Sequence, residues 1–221
     1  MLAGAVGLYT YQLLPTPVFA KSAAPMLAQL KRGIELYDSD KNKEAFHDLL
    51  PLAQRGERTA QYFVAEMYSF GAGVKKDYAT AFEWYMKSAE QGHPGAQKEI
   101  GRMYYTGECI KKNYRKAFEW YMKSAEQDFP GAQSIICNMY YTGDGVKQDY
   151  KKAFEWGNKS ANNGNADAQL NVGVMYYNGE GTKKDLYKAR EYLLLASNNG
   201  NKNAKKIFEC VNDEIMESEE S

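Results

Sequence analysis

Histidine is nearly missing from this chain: His47 and His93 are the only two in 221 residues. Neither has a Cys, His or Asp partner at ligand spacing, so a metal site and a Ser-His-Asp arrangement both lack their parts. Cysteine is almost as scarce. Cys109, Cys137 and Cys210 make an odd count, so at least one thiol is unpaired or bridges to another chain, and their spacings match no zinc or CxxC pattern. Excess charge of either sign is absent as well: 28 Lys and Arg balance 28 Asp and Glu. That balance leaves no electrostatic footprint for nucleic acid, and no polybasic run points to an anionic membrane.

What the chain does have is order along its length. Its N-terminus stands apart: Leu2 to Leu14 is largely apolar and uncharged, and the first charge is Lys21. An apolar core ending at Val18-Phe19-Ala20 reads as a secretory signal cut after Ala20. A disordered leader or an uncleaved anchor is the alternative, because no Lys or Arg precedes the core and Tyr9, Tyr11 and Gln12 dilute it. The segment falls short of the roughly 20 apolar residues that cross a bilayer. Export places the protein in the periplasm or outside the cell; without it, the location is cytoplasmic.

From there on the sequence repeats. Trp84, Trp120 and Trp156 are separated by 36 residues, as are Gly71, Gly107, Gly143 and Gly179. Ala60, Ala96, Ala132, Ala168 and Ala204 keep the same interval. A period of this length means stacked supersecondary units, none of which buries its apolar face alone. Tyr192 falls where a fourth Trp would stand.

One unit shows the pattern. Ala96, Ile100, Gly101, Met103 and Tyr104 recur at helical spacing, and Gly107 closes that helix. A loop follows, and Asn113 stands where sister units have Asp77, Asp149 and Asp185, all good N-cap residues worth about 1 kcal/mol each. Tyr114, Ala117, Phe118, Trp120, Tyr121 and Ala125 form the stripe of a second helix. Gly56, Gly92, Gly164 and Gly200 mark its end as left-handed residues; Asp128 breaks that series. Pro94 and Pro130 are expected at the first position of the next helix. Cys137 replaces a small residue, so a small buried thiol is expected; Cys109 replaces a loop glycine.

The run Ala-Gln-x5-Met-Tyr-x2-Gly-x-Gly-Val-x2-Asp-Tyr-x2-Ala-Phe-x-Trp, from Ala132 to Trp156, resembles the Sel1-like repeat, a relative of the tetratricopeptide repeat. The resemblance implies an all-α, right-handed α-solenoid of stacked antiparallel helix pairs. Residues 1–20 are then an export signal and 21–56 a tetratricopeptide-like capping helix pair. Repeats follow at 57–92, 93–128, 129–164 and 165–200, and 201–221 forms a capping helix with a solvated, fraying acidic end.

For function, no catalytic constellation emerges. Gly-x-Gly at 71–73, 143–145 and 179–181 recurs at one loop position without Gly-Lys-Ser/Thr after it, so it reads as a turn and not a phosphate loop. Helix-A positions that vary between units fall on one side at about 100° per residue. In tetratricopeptide-like stacks helix A lines the concave face, so the resemblance places a protein- or peptide-binding groove at Phe63, Glu66, Phe70, Glu99, Arg102, Tyr105, Ile135, Asn138, Tyr141, Asn171, Val174 and Tyr177. Packing of some of these against the neighbouring helix is the competing reading. A non-catalytic, monomeric scaffold without cofactor, nucleic acid or stable membrane span is expected. The alternative is a cell-envelope enzyme related to cysteine-rich Sel1-like β-lactam-binding proteins, whose paired cysteines this chain lacks. The tryptophans lie on helix B, away from the groove.

Overall fold

The computed structural model describes residues 20–129 and 131–220, and among them every regular element is a helix. The order is α1 (Ala20–Asp38), α2 (Asn42–Gln54), α3 (Arg58–Phe70), α4 (Tyr78–Glu90), α5 (Pro94–Thr106), α6 (Tyr114–Ala125), α7 (Ala132–Thr142), α8 (Tyr150–Asn162), α9 (Ala166–Asn178), α10 (Leu186–Asn198) and α11 (Ala204–Glu220). Each helix packs on the next, and α7 also meets α9. The result is an α-solenoid of antiparallel pairs. The export signal expected at 1–20 lies outside the described residues apart from Ala20, which opens α1. None of the described helices is long and apolar enough to cross a membrane.

Small residues set the close spacing. Ala60, Ala81, Ala96, Ala117, Ala132, Ala153, Ala168 and Ala189 are all fully buried. Larger side chains fill what remains, and their volumes are matched across each pair. A Cβ on Gly101 would lie 2.8 Å from the Tyr121 ring, and one on Gly173 would lie 2.9 Å from Leu193. In the third unit the exchange reverses: Cys137 supplies the bulk, and a Cβ on Gly157 would meet its Sγ at 3.1 Å. Close-packed interiors permit such swaps because total volume is kept.

Polar ties repeat with the same period. The buried glutamines Gln61, Gln97 and Gln169 each donate to a backbone carbonyl of the preceding helix, Ala53, Ala89 and Ala161, at 3.1, 3.2 and 3.1 Å. Each in turn accepts from Gln91, Gln127 or Asn199 at the end of its own unit. Satisfying both ends keeps a buried amide from costing stability. Gln133 departs from this and donates to the Asp128 side chain at 2.7 Å. Asp128 takes φ 55, the left-handed conformation that its glycine counterparts adopt freely.

The expected N-caps are in place. Asp77, Asn113, Asp149 and Asp185 accept from backbone amides of the first turn of the following helix. Their own amides donate back to Tyr68, Tyr104, Tyr140 and Tyr176, at 2.8–2.9 Å, which pins each inter-helix loop. Three features depart from expectation. Helix α1 begins at Ala20, ahead of the capping pair expected from residue 21. Helix α7 starts only at Ala132, after Gly131, with no side-chain cap, because Phe129 stands where Glu57, His93 and Asn165 cap the sister helices; Pro130 lies outside the described residues. The acidic C-terminal stretch continues as helix through Glu220 instead of fraying, because Val211 and Ile215 are buried against Ala189 and Leu193.

Candidate functional site

The variable helix-A positions sit on α3, α5, α7 and α9, on the side of each helix away from its buried alanines. On α3, Phe63 is half-buried, edge-on to Tyr37 and to Tyr62, with ring centroids 5.4 Å away in each case. Phe70 is 68% exposed. Glu66 accepts from the Tyr85 hydroxyl. Burial raises its pKa, and that outweighs the opposing hydrogen bonds from Tyr85 and Tyr62. The Tyr37 hydroxyl is pushed up to about 12 by burial and then by the Glu66 charge. Tyr62 stacks on His93 with ring centroids 4.5 Å apart. One end of the face is thus an aromatic cluster around a desolvated carboxylate.

On α5 the charges bind one another. Arg102 donates to Glu99 and to Glu108, each at 2.7 Å, and Lys98 approaches Glu99 at 3.2 Å. Burial pulls the Arg102 pKa down, but the two carboxylates more than offset it, and the net shift is upward. Burial lifts Glu108, yet hydrogen bonds from Arg102 and Tyr78 leave it below its usual value. A half-buried network of this kind holds its geometry better than isolated surface pairs, which are worth only about 0–1 kcal/mol.

The tyrosines that end each helix A reach into the next unit. Tyr105 donates to Asp144 at 3.0 Å and Tyr141 to Glu180 at 2.8 Å. The hydrogen bond to Glu180 is the largest reason that the Tyr141 pKa rises to about 12. Tyr177 makes the same kind of bond to Glu214 of α11. These hydroxyls are therefore already engaged, and only the rings remain as open surface. Ile135 packs against the core cluster of α6, α7 and α8.

Between α7, α9 and α11 lies a cavity of about 190 Å³, walled by Asn138, Tyr141, Leu170, Asn171, Val174 and Ile207, with Cys137 and Met175 completing its lining. Asn171 donates to Asn138 at 2.9 Å across the two helices. Four of the sequence-predicted residues (Asn138, Tyr141, Asn171 and Val174) thus converge. Sequence reasoning missed Ile207, Asp144, Glu180 and Glu214. The same 36-residue register that places Glu108, Asp144 and Glu180 at one loop position would have found two of them. A larger depression of about 600 Å³, near Arg32, Leu36, Lys43, Glu44, His47 and Asp48, opens on the capping pair and not on this face. Arg32 grips Asp48 there through two bonds of 2.6 Å.

On the helix-B side, Lys87, Lys123 and Lys159 lie 4.3, 4.0 and 4.4 Å over the rings of Trp84, Trp120 and Trp156. Cys109, Cys137 and Cys210 are all free thiols. Cys137 is buried, and burial raises it to about 11, which suits a packing residue and not a nucleophile. No group of three or more His, Cys, Asp or Glu among the described residues is arranged to hold a metal ion.

Stacked helix pairs with capped glycine loops and a strip of unlike residues along one helix of each pair define a helical-repeat scaffold. The Sel1 repeat profile matches residues 58–93, 94–129, 130–165 and 166–201, and the chain belongs to the Sel1 repeat family. It is similar to a Sel1 repeat protein of Oxalobacter formigenes, with 33% identity, TM-score 0.77, and 81% of this chain and 74% of that one covered. It is also similar to c5321, a protective antigen of uropathogenic Escherichia coli with an SLR fold, at 28% identity and TM-score 0.79; the match covers 89% of this chain but 43% of that one. The immunity protein Pa5087 of Pseudomonas aeruginosa, 18% identical over 87% of this chain and 70% of its own with TM-score 0.52, shares the fold. Comparison with curated protein sequences returns no match.

Proposed function

We infer that this chain is a non-catalytic scaffold that holds a protein or peptide against the face built by α3, α5, α7 and α9. The cavity between α7, α9 and α11 is the observation that carries the reading. The regular residues of each repeat are spent on stacking, whereas Asn138, Leu170, Asn171 and Val174 leave an open hollow of about 190 Å³. Surface of this kind, apolar with a few oriented amides, suits recognition of another chain. Phe63, Phe70, Glu99 and Arg102 extend the face toward the N-terminal end. The apolar leader ending at Val18-Phe19-Ala20 supports work outside the cytoplasm.

Site-specific photocrosslinking tests the reading. A photoreactive amino acid at Val174 or Phe70 should give a partner adduct in the native host, and one at the exposed helix-B positions Glu119 or Glu155 should not. Equal adducts from both sides would sink the assignment of the face. N-terminal sequencing of the mature protein checks export, and an intact Met1 in the cytosol would defeat it.

A further inference from the structure

The reading of the helix-A face as a binding surface leaves the partner's chemistry open, and the C-terminal half of that face narrows it. Helices α7 and α9 contain no lysine or arginine at all. At the edge of the same face stand Asp144 and Glu180, each in the loop after one of these helices. Each accepts a tyrosine hydroxyl from the preceding unit, and neither forms an ion pair among the described residues. Their counterparts at either end do find cations: Glu108 pairs with Arg102 at 2.7 Å and Glu214 with Lys184 at 3.1 Å. The middle of the edge therefore carries negative charge that the protein does not neutralise.

The apolar hollow adjoins that charge. Tyr141 forms part of its wall, and the Tyr141 hydroxyl holds Glu180 at 2.8 Å beside it. Its volume of about 190 Å³ exceeds the roughly 150 Å³ of an apolar cavity that admits benzene. The third unit also lacks the aromatic ring that Tyr85 and Tyr121 bring against Ala65 and Gly101 in the first two, since Gly157 stands there against Cys137. Across the hollow, the Asn171–Asn138 bond leaves the Asn171 side-chain oxygen and the Asn138 amide hydrogens without a protein partner among the described residues, and so able to meet a peptide backbone.

We propose that, granted the scaffold reading, the partner is an extended basic peptide segment that seats one apolar side chain in the hollow between α7, α9 and α11 and directs lysine or arginine to Asp144 and Glu180. Charge complementarity sets the class of partner and its orientation. The repeat geometry sets its spacing. Neighbouring packed helices lie roughly 8–10 Å apart and an extended chain advances about 3.3 Å per residue, so apolar and basic positions should be about three residues apart.

Selection of a displayed random-peptide library on the immobilised full chain tests this, followed by fluorescence anisotropy with the enriched peptides. The expected consensus is an apolar residue with Lys or Arg about three positions away. Replacing that apolar residue by Asp in the peptide should abolish binding. The variant Asp144→Asn with Glu180→Gln keeps both tyrosine acceptors and removes both charges; its affinity should fall about tenfold, and the salt dependence of binding should flatten with it. An unchanged melting curve confirms that the variant is folded, and the two single variants serve if the double one is not. Enriched peptides without basic residues, or equal affinity for the double variant, would overturn the inference and leave the scaffold reading standing. No enrichment over an uncoated surface would overturn both.

Discussion

The Tyr105 hydroxyl donates to Asp144 at 3.0 Å, from the end of α5 to the loop after α7, joining two successive units. Tyr141 and Glu180 repeat the tie one unit on at 2.8 Å. Nearest-neighbour interfaces carry the stability of a repeat array. Tyr105→Phe leaves a half-buried carboxylate without its donor and should cost about 1–2 kcal/mol in urea unfolding. Hydrogen exchange should locate the loss at α5 to α8. An unchanged midpoint would show that water replaces the hydroxyl without penalty.

Two loop glycines separate conformation from contact. Gly145 and Gly164 both have positive φ, +74 and +83. A Cβ on Gly145 would lie 2.1 Å from the Tyr114 carbonyl oxygen, whereas one on Gly164 meets nothing within 4 Å. Gly164→Ala should therefore cost about 1 kcal/mol from the left-handed backbone alone. Gly145→Ala should cost at least about 2 kcal/mol more, because backbone of the preceding unit has to move. Equal losses in thermal melts of the two variants would contradict the contact argument.

A double-mutant cycle reads the matched volumes. Gly101→Ala puts a Cβ 2.8 Å from the Tyr121 ring and should destabilise by about 1–3 kcal/mol. In a Tyr121→Leu background the same substitution should cost less, with a coupling of about 1 kcal/mol. Additive losses would mean that the helix pair relaxes apart and the ring is not the obstacle.

His93 makes folding sensitive to acid. Its Nδ1 accepts from the Ala96 amide at 3.2 Å as the cap of α5, which needs the neutral ring. Burial first, then the Arg58 charge, lowers its pKa to about 4. The unfolded chain then binds this proton more readily than the folded one. The stability contributed by neutral His93 is complete above about pH 6.5 and is lost as pH falls toward about 4, amounting to about 3 kcal/mol. His93→Asn retains a capping oxygen, as Asn165 does in the fourth repeat. It should flatten that slope while changing stability at pH 7 by less than about 1 kcal/mol. A slope that survives in the variant would assign the acid sensitivity to another group.

Much of this molecule was legible before its structure. The 36-residue ladder of Trp84, Trp120 and Trp156 gave the unit, and Asp77, Asn113, Asp149 and Asp185 gave the helix starts, because period and capping chemistry are local properties. Asp128 stands out in the sequence as the break in the glycine series, and the structure gives it the left-handed conformation of those glycines. The candidate face was read less completely. Asn138, Asn171 and Val174 were expected there and do line one cavity. Tyr105 and Tyr141 are expected on the same groove from the sequence, whereas the ties of their hydroxyls to neighbouring units depend on side chains 39 residues away.

The C-terminal end shows where local reading stops. Five acids among the last nine residues suggested a frayed tail, but Val211 and Ile215 bury their side chains and carry the helix onward. Sequence alone determined the number of units, their helices and their capped loops, since these follow from periodicity and from hydrogen bonds made within a few residues. Only the tertiary structure decided which of the variable residues are spent on neighbouring units and which remain open, because that depends on contacts between helices that the sequence keeps about one repeat apart.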